Sequence, residues 1–333
     1  MKKKTDLLTF ISKNWFLLGI FCALFLGYYF SSFGALLNRR SVTSTVLVIV
    51  IFFNIGFSLP TEKIVKGIKN IRLHSYVQCF IFCIVPLYFF GAVFLFKSIL
   101  SPEVRTGIFA LSCLPTTVSS CIVFTQNAKG NVAGTMFNAA FSNIIGIFLS
   151  PLILSLLLRS GDAVVMETSE ISRILTGLSI KMLLPLAAGQ CIRRFRTAYA
   201  EGHKQLFSRI NNGAILLIIF FAFSRAASNA NFLSLLASLP LPFLFLAVSH
   251  IVLLGAAYFS SGILRFPKND RISVIFAAPE KTLAMGLPLM TAYFINQPEI
   301  LGIGILPLIF YHSWQLLCAG ILIRLLDRKA MSH

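Results

Sequence analysis

A chain of 333 residues that is 57% apolar and 12% charged, with a mean hydropathy of +0.84, is not an ordinary soluble domain, because such domains carry about 25% charged residues. The formal net charge of +18 would suit nucleic acid, yet the basic residues alternate from side to side of the apolar segments, as topology signals beside anionic lipid do. A soluble catalytic domain is excluded, and neither nucleic acid nor nucleotide is expected as a partner.

A spanning helix needs about 20 mostly apolar residues. Hydropathy places ten such spans, near 14–31, 42–59, 75–96, 105–127, 132–158, 172–192, 209–228, 234–263, 272–294 and 300–325. The first follows Lys2, Lys3 and Lys4 but lacks the small-residue cleavage pattern of a signal peptide, and reads as a helix. With both termini on one side, that side collects twenty Lys and Arg against seven opposite. This asymmetry puts both termini in the cytoplasm of a multi-pass inner (plasma) membrane protein. The cysteines all fall inside predicted helices without a C-x-x-C pair, so no disulfide and no metal beyond Na⁺ is expected.

Five spans precede the polar stretch around 159–171 and five follow it. An odd number per half makes the second half enter the membrane in the opposite sense, the condition for an inverted repeat. The expected organisation is a first five-helix repeat over 1–158, a linker over 159–171 and a second repeat over 172–333.

The fourth span contains Pro115 followed by Thr116, Thr117, Ser119 and Ser120, with Thr125, Gln126 and Asn127 further on. The ninth, fourth of its own half, contains Pro279-Glu280-Lys281-Thr282 and then Pro288. Proline has no N–H to donate, and a carbonyl freed in hydrocarbon must find another ligand. Two matched breaks therefore point to a binding site near the bilayer midplane. Pro86, Pro151, Pro185 and Pro307 read as simple kinks.

Glu280 and Lys281 lie about 12 Å into their span at 1.5 Å per residue, where a charge costs about 3 kcal/mol or more. As sequence neighbours they would diverge by about 100° on a regular helix. Either the helix unwinds at Pro279 or each faces its own polar partner; a purely structural ion pair is the bland alternative. The hydroxyl cluster after Pro115 offers oxygens to a hard cation such as Na⁺, against a packing role for Ser and Thr. On the fifth span, Thr135, Asn138, Ser142 and Asn143 could reach the same ion, Asn138 and Ser142 sharing a face. In the tenth span, His312 and Gln315 interrupt an apolar run and, with Thr117, are candidates to meet solute. No G-x-x-x-x-G-K-[ST], H-E-x-x-H or G-x-S-x-G motif occurs, and no enzyme activity or organic cofactor is expected.

The run Leu114-Pro115-Thr116-Thr117-Val118-Ser119-Ser120, then Lys129-Gly130-Asn131, then Gly146 to Pro151, resembles the bile acid:sodium symporter superfamily, in its sodium/bile acid symporter-like branch. Lys66 to His74, Glu280 to Pro288 and Leu306 to His312 resemble the same branch, so the likeness covers essentially the whole chain. It implies an all-α membrane protein of ten helices in two inverted repeats. Helices 1, 2, 6 and 7 would form a panel domain and helices 3–5 and 8–10 a core domain, the fourth and ninth unwound where they cross. It also implies sodium near Ser119 and Ser120, on the Thr135–Asn143 face, and around Glu280–Thr282, with solute between core and panel. Lys281 departs from the bile-acid pattern, in which the glutamate is followed by an apolar residue. A charged Lys281 could replace one sodium, or its deprotonation could couple transport to protons.

The expected function is alternating-access transport of a small organic solute, an anion, coupled to Na⁺. Ion ligands or their support would be Thr116, Thr135, Ser119, Ser120, Asn138, Ser142, Asn143, Glu280, Lys281 and Thr282. The alternatives are a cation/proton antiporter titrating Glu280 and Lys281, and a membrane regulatory or scaffold protein with a degenerate site.

Overall fold

The computed structural model describes residues 2–58, 70–160, 176–177, 179–229 and 231–331, and among them the regular structure is entirely helical. In chain order, α1 (Lys2–Tyr29) is followed by α2 (Ser31–Leu37), bent away by 98°, and by α3 (Val42–Ser58). Next comes α4 (Ile71–Leu95), which widens into a π-turn over Phe80–Ile84 just before Pro86. The stretch expected as the fourth span is two helices, α5 (Pro102–Ser112) and α6 (Ser119–Asn127), and α7 (Val132–Ser160) succeeds them.

Leu184–Phe195 forms α8, entered through a second π-turn at Ser179–Leu183 and again a proline, Pro185. The short α9 (Thr197–Gly202) leads to α10 (Lys204–Ala226), and the short α11 (Phe232–Ala237) leads to α12 (Pro240–Ile263). The expected ninth span is also two helices, α13 (Lys268–Ala277) and α14 (Leu283–Phe294), before the long α15 (Pro298–Met331). Pro288 lies inside α14 and Pro307 inside α15 without ending either. Of the linker expected over 159–171, Arg159 and Ser160 finish α7; the remainder lies outside the described residues, as do residues 172–175 of the expected sixth span and Lys66–Lys69.

Among the described residues, six helical stretches are each long and apolar enough to cross a bilayer: Arg39–Ser58, α4, α7, α10, α12 and Pro298–Leu325; the bent α1–α2 pair would make a seventh. The chain is a multi-pass membrane protein. Large apolar side chains such as Leu87, Phe94 and Phe148 are exposed on its outside, where hydrocarbon replaces water as the contacting medium. Lipid tails are as apolar as leucine, so helices associate through close backbone approach rather than by escaping solvent. That is visible where α5 meets α15: a Cβ on Gly107 would lie 2.2 Å from the Gly304 carbonyl oxygen. The same holds where α3 meets α8, a Cβ on Gly56 falling 2.2 Å from the Leu186 oxygen.

Three helix N-termini meet at Asp270, in the first turn of α13. Asn70 caps α4 through a 3.2 Å bond from Leu73 N and donates its amide to Asp270 at 2.8 Å. Asn131 caps α7 through a 2.9 Å bond from Gly134 N and donates to the other carboxylate oxygen at 2.7 Å. Asp270 is buried, and its negative charge complements the positive ends of the helices around it.

Candidate functional site

Residues 113–118 and 278–282 interrupt the α5–α6 and α13–α14 pairs. In a dry interior every carbonyl released by such a break needs a partner, and those that can be traced find one. Cys113 O accepts from Ser150 Oγ at 2.7 Å and Thr116 O from Asn143 Nδ2 at 2.9 Å, both donors standing on α7. Across the other break, Pro279 O accepts from Tyr311 Oη at 3.0 Å and Lys281 O from Gln315 Nε2 at 2.8 Å, both on α15. The two breaks are joined directly, Thr282 N donating to Pro115 O at 2.9 Å.

Glu280 is 2% exposed and Lys281 1%, yet they do not pair with each other, which corrects the ion-pair alternative. The unwound main chain at Pro279 sends the two side chains apart. The carboxylate Oε2 of Glu280 accepts from Thr117 Oγ1 at 2.9 Å, and that hydroxyl accepts from Ser120 Oγ at 2.6 Å. The Lys281 Nζ donates to three main-chain oxygens, Leu114 at 2.8 Å, Ser112 at 2.9 Å and Ile81 at 3.1 Å. Three such bonds use every N–H of an ammonium. Lys281 N meanwhile donates to Gln315 Oε1 at 2.9 Å.

Each of those three oxygens is orphaned for a local reason. Ser112 and Leu114 lose their helical donors where α5 stops. In the π-turn of α4, Val85 N reaches back five residues to Phe80 O. The next donor in that register would be Pro86, which has no N–H, and Ile81 O is left free. Pro86, read from the sequence as a simple kink, is therefore part of the site.

Other sequence candidates are placed nearby or turned aside. Thr116 is buried, its main-chain oxygen held by Asn143 while its own hydroxyl has no partner among the described residues. Asn138 is fully buried and receives Gln78 Nε2 on both its side-chain and main-chain oxygens at 3.2 Å. Thr135 shares a 3.0 Å hydrogen bond with Thr125. Ser142 turns back to Ala139 O at 3.0 Å. Thr282 joins through its backbone, and His312 stands 3.1 Å from Gln315 Nε2 through its Nδ1. Ser119 is exposed and is not drawn into the Glu280 cluster. Of the groups the sequence reading passed over, Gln78, Ser112, Ser150 and Tyr311 touch this assembly. Only a proline five residues after Ile81, beside an apolar run, could have flagged the free carbonyl there.

Comparison with known proteins gives this arrangement its context. A family model described as the SBF-like CPA transporter family matches residues 14–328. The chain is 30% identical over 324 residues to "Sodium/bile acid cotransporter 7" of Mus musculus, covering 93% of this chain and 92% of that protein. It is 31% identical over 293 residues to "Putative symporter YfeH" of Escherichia coli K12, covering 86% and 84% respectively, and 29% identical over 327 residues to the Danio rerio sodium/bile acid cotransporter 7, covering 94% and 93%. Transport rather than catalysis is what unites them. The chain belongs to the SBF-like CPA transporter family.

Proposed function

We propose that the chain is a secondary transporter that moves a small organic anion by alternating access, coupled to Na⁺. The observation that carries this is Glu280, a fully enclosed carboxylate on unwound backbone, bonded to Thr117 of the opposing break, which is itself tied to the first by Thr282 N and Pro115 O. A buried carboxylate with hydroxyl oxygens around it suits a hard monovalent cation. The names of relatives, sodium/bile acid cotransporter and putative symporter, point the same way.

In this reading Glu280, Thr117, Ser120, Thr116 and the Asn138 face hold or support the ion, and solute meets the positive ends of α6 and α14. The reading retains ten crossings in two inverted halves, 1–158 and 172–333, with core and panel domains and both termini cytoplasmic. It is supported by a parallel between the halves: an amide side chain of α7, Asn143, braces the first break, and an amide side chain of α15, Gln315, braces the second. The twenty-to-seven asymmetry of basic residues supports the orientation.

An antiporter that titrates Glu280 and Lys281 as a pair is less favoured, because the ammonium is fully engaged with carbonyls and the carboxylate with Thr117. A scaffold with a decayed site would have little reason to retain enclosed charge. The test is thermal unfolding of the purified protein in Na⁺, Li⁺, K⁺ and choline, repeated with a panel of carboxylates, followed by uptake of any stabilising carboxylate into proteoliposomes with and without a sodium gradient. Uptake indifferent to sodium rejects the coupling.

A further inference from the structure

We propose that the main-chain oxygens of Ile81, Ser112 and Leu114 form a monovalent-cation site whose occupant is built into the chain, the Lys281 ammonium. The three oxygens come from α4, from the last residue of α5 and from the break that follows it, and are freed by separate events, the stop of α5 and the π-turn before Pro86. They nevertheless converge on one point, at 2.8, 2.9 and 3.1 Å from Nζ.

A set of neutral carbonyls released by irregular backbone is the donor set by which proteins strip water from alkali cations. An ammonium is a compact point charge of the same sign with three rotatable donors, so it can occupy such a set without a carboxylate partner. Among the described residues Lys281 has none: Glu280 bonds elsewhere. Its stem crosses from the α13–α14 break to reach oxygens of α4, of α5 and of the α5–α6 break, and the head is enclosed, the residue being 1% exposed.

The cation site stands whether or not Glu280 binds an ion. Its consequence for transport rests on the reading above: Glu280 and Lys281 together bring no net charge, so one mobile Na⁺ leaves a single positive charge to be matched by one monoanion.

Lysine-to-alanine substitution deletes the atoms of n-propylamine, which makes n-propylammonium the probe. Lys281→Ala is expected to unfold at lower temperature than the unsubstituted protein and to recover by about 3 °C or more in n-propylammonium at about 50 mM. Choline at equal ionic strength should not restore it, and the unsubstituted protein should gain nothing from the probe. The recovery is expected to persist in the double variant Glu280→Gln, Lys281→Ala, where any Na⁺ response through the carboxylate is gone, so failure of the carboxylate site and failure of the cation site are read separately. A second comparison serves if Lys281→Ala does not fold. Lys281→Gln can donate to two of the oxygens and Lys281→Met to none, so the Met variant should melt several degrees lower. Equal response of Lys281→Ala to n-propylammonium and choline, or equal midpoints for the Gln and Met variants, overturns the proposal.

Discussion

Gln315 grips Lys281 at both ends of its main chain, accepting from the backbone N at 2.9 Å and donating to the backbone O at 2.8 Å. One amide side chain, 0% exposed, thus replaces the two helical hydrogen bonds that unwinding removes. Replacing it with leucine would strand a donor and an acceptor in a dry interior, each at about 1–3 kcal/mol. The Gln315→Leu variant should show a fall in unfolding midpoint well beyond that of Ser313→Ala, whose hydroxyl only returns to Ile309 O on its own helix. Thermal denaturation in detergent measures both.

If Glu280 holds the coupling ion, Glu280→Gln should abolish any stabilisation specific to Na⁺ while leaving the response to choline unchanged. Thr117→Val removes the donor to the carboxylate and the acceptor for Ser120, and should weaken apparent Na⁺ affinity by roughly tenfold, the size of one charge-assisted hydrogen bond. Ser119→Ala should change neither, since that side chain is exposed and outside the cluster. Sodium titrations followed by thermal shift decide all three.

At the Asp270 junction the two asparagines each cap one helix and bind the same carboxylate. Asp270→Ala should therefore weaken two caps at once, each worth about 1 kcal/mol. Losses from Asp270→Ala and Asn131→Ala should be less than additive, because both break the same bond. Strict additivity in a double-mutant cycle would contradict a shared network.

The α5–α15 contact makes a simpler prediction. Gly107→Ala places a Cβ 2.2 Å from a main-chain oxygen, which cannot turn aside as a flexible side chain would. Gly91→Ala meets nothing within 4 Å. The first should lower yield and melting temperature; the second should leave both unchanged or slightly raised, since alanine is the better helix former by about 1 kcal/mol.

The apolar segments and the two interruptions were legible because each has a strong local cause: long hydrophobic runs, and prolines set among polar residues. That Glu280 and Lys281 would diverge was also legible, from their adjacency. The acceptors of Lys281 were not. Its partners are main-chain oxygens up to two hundred positions away, and a carbonyl carries no side-chain signature. Ser142 illustrates a different gap: helical spacing put it beside Asn138, but not that its hydroxyl would donate to its own preceding turn, at Ala139 O. Pro86 was undervalued because a kink and a missing donor look alike in one letter, and only the π-turn register shows which oxygen it abandons.

Irregular stretches are ordinarily where a polypeptide yields first. Around Pro115 and Pro279 the opposite holds, since side chains of α7, α13–α14 and α15 lock the non-helical peptides from several directions and none of those locks comes from α1, α3, α8 or α10. If the proposed transport cycle operates, its movements are expected to spare these braced peptides, because displacing them would strand several buried carbonyls at once.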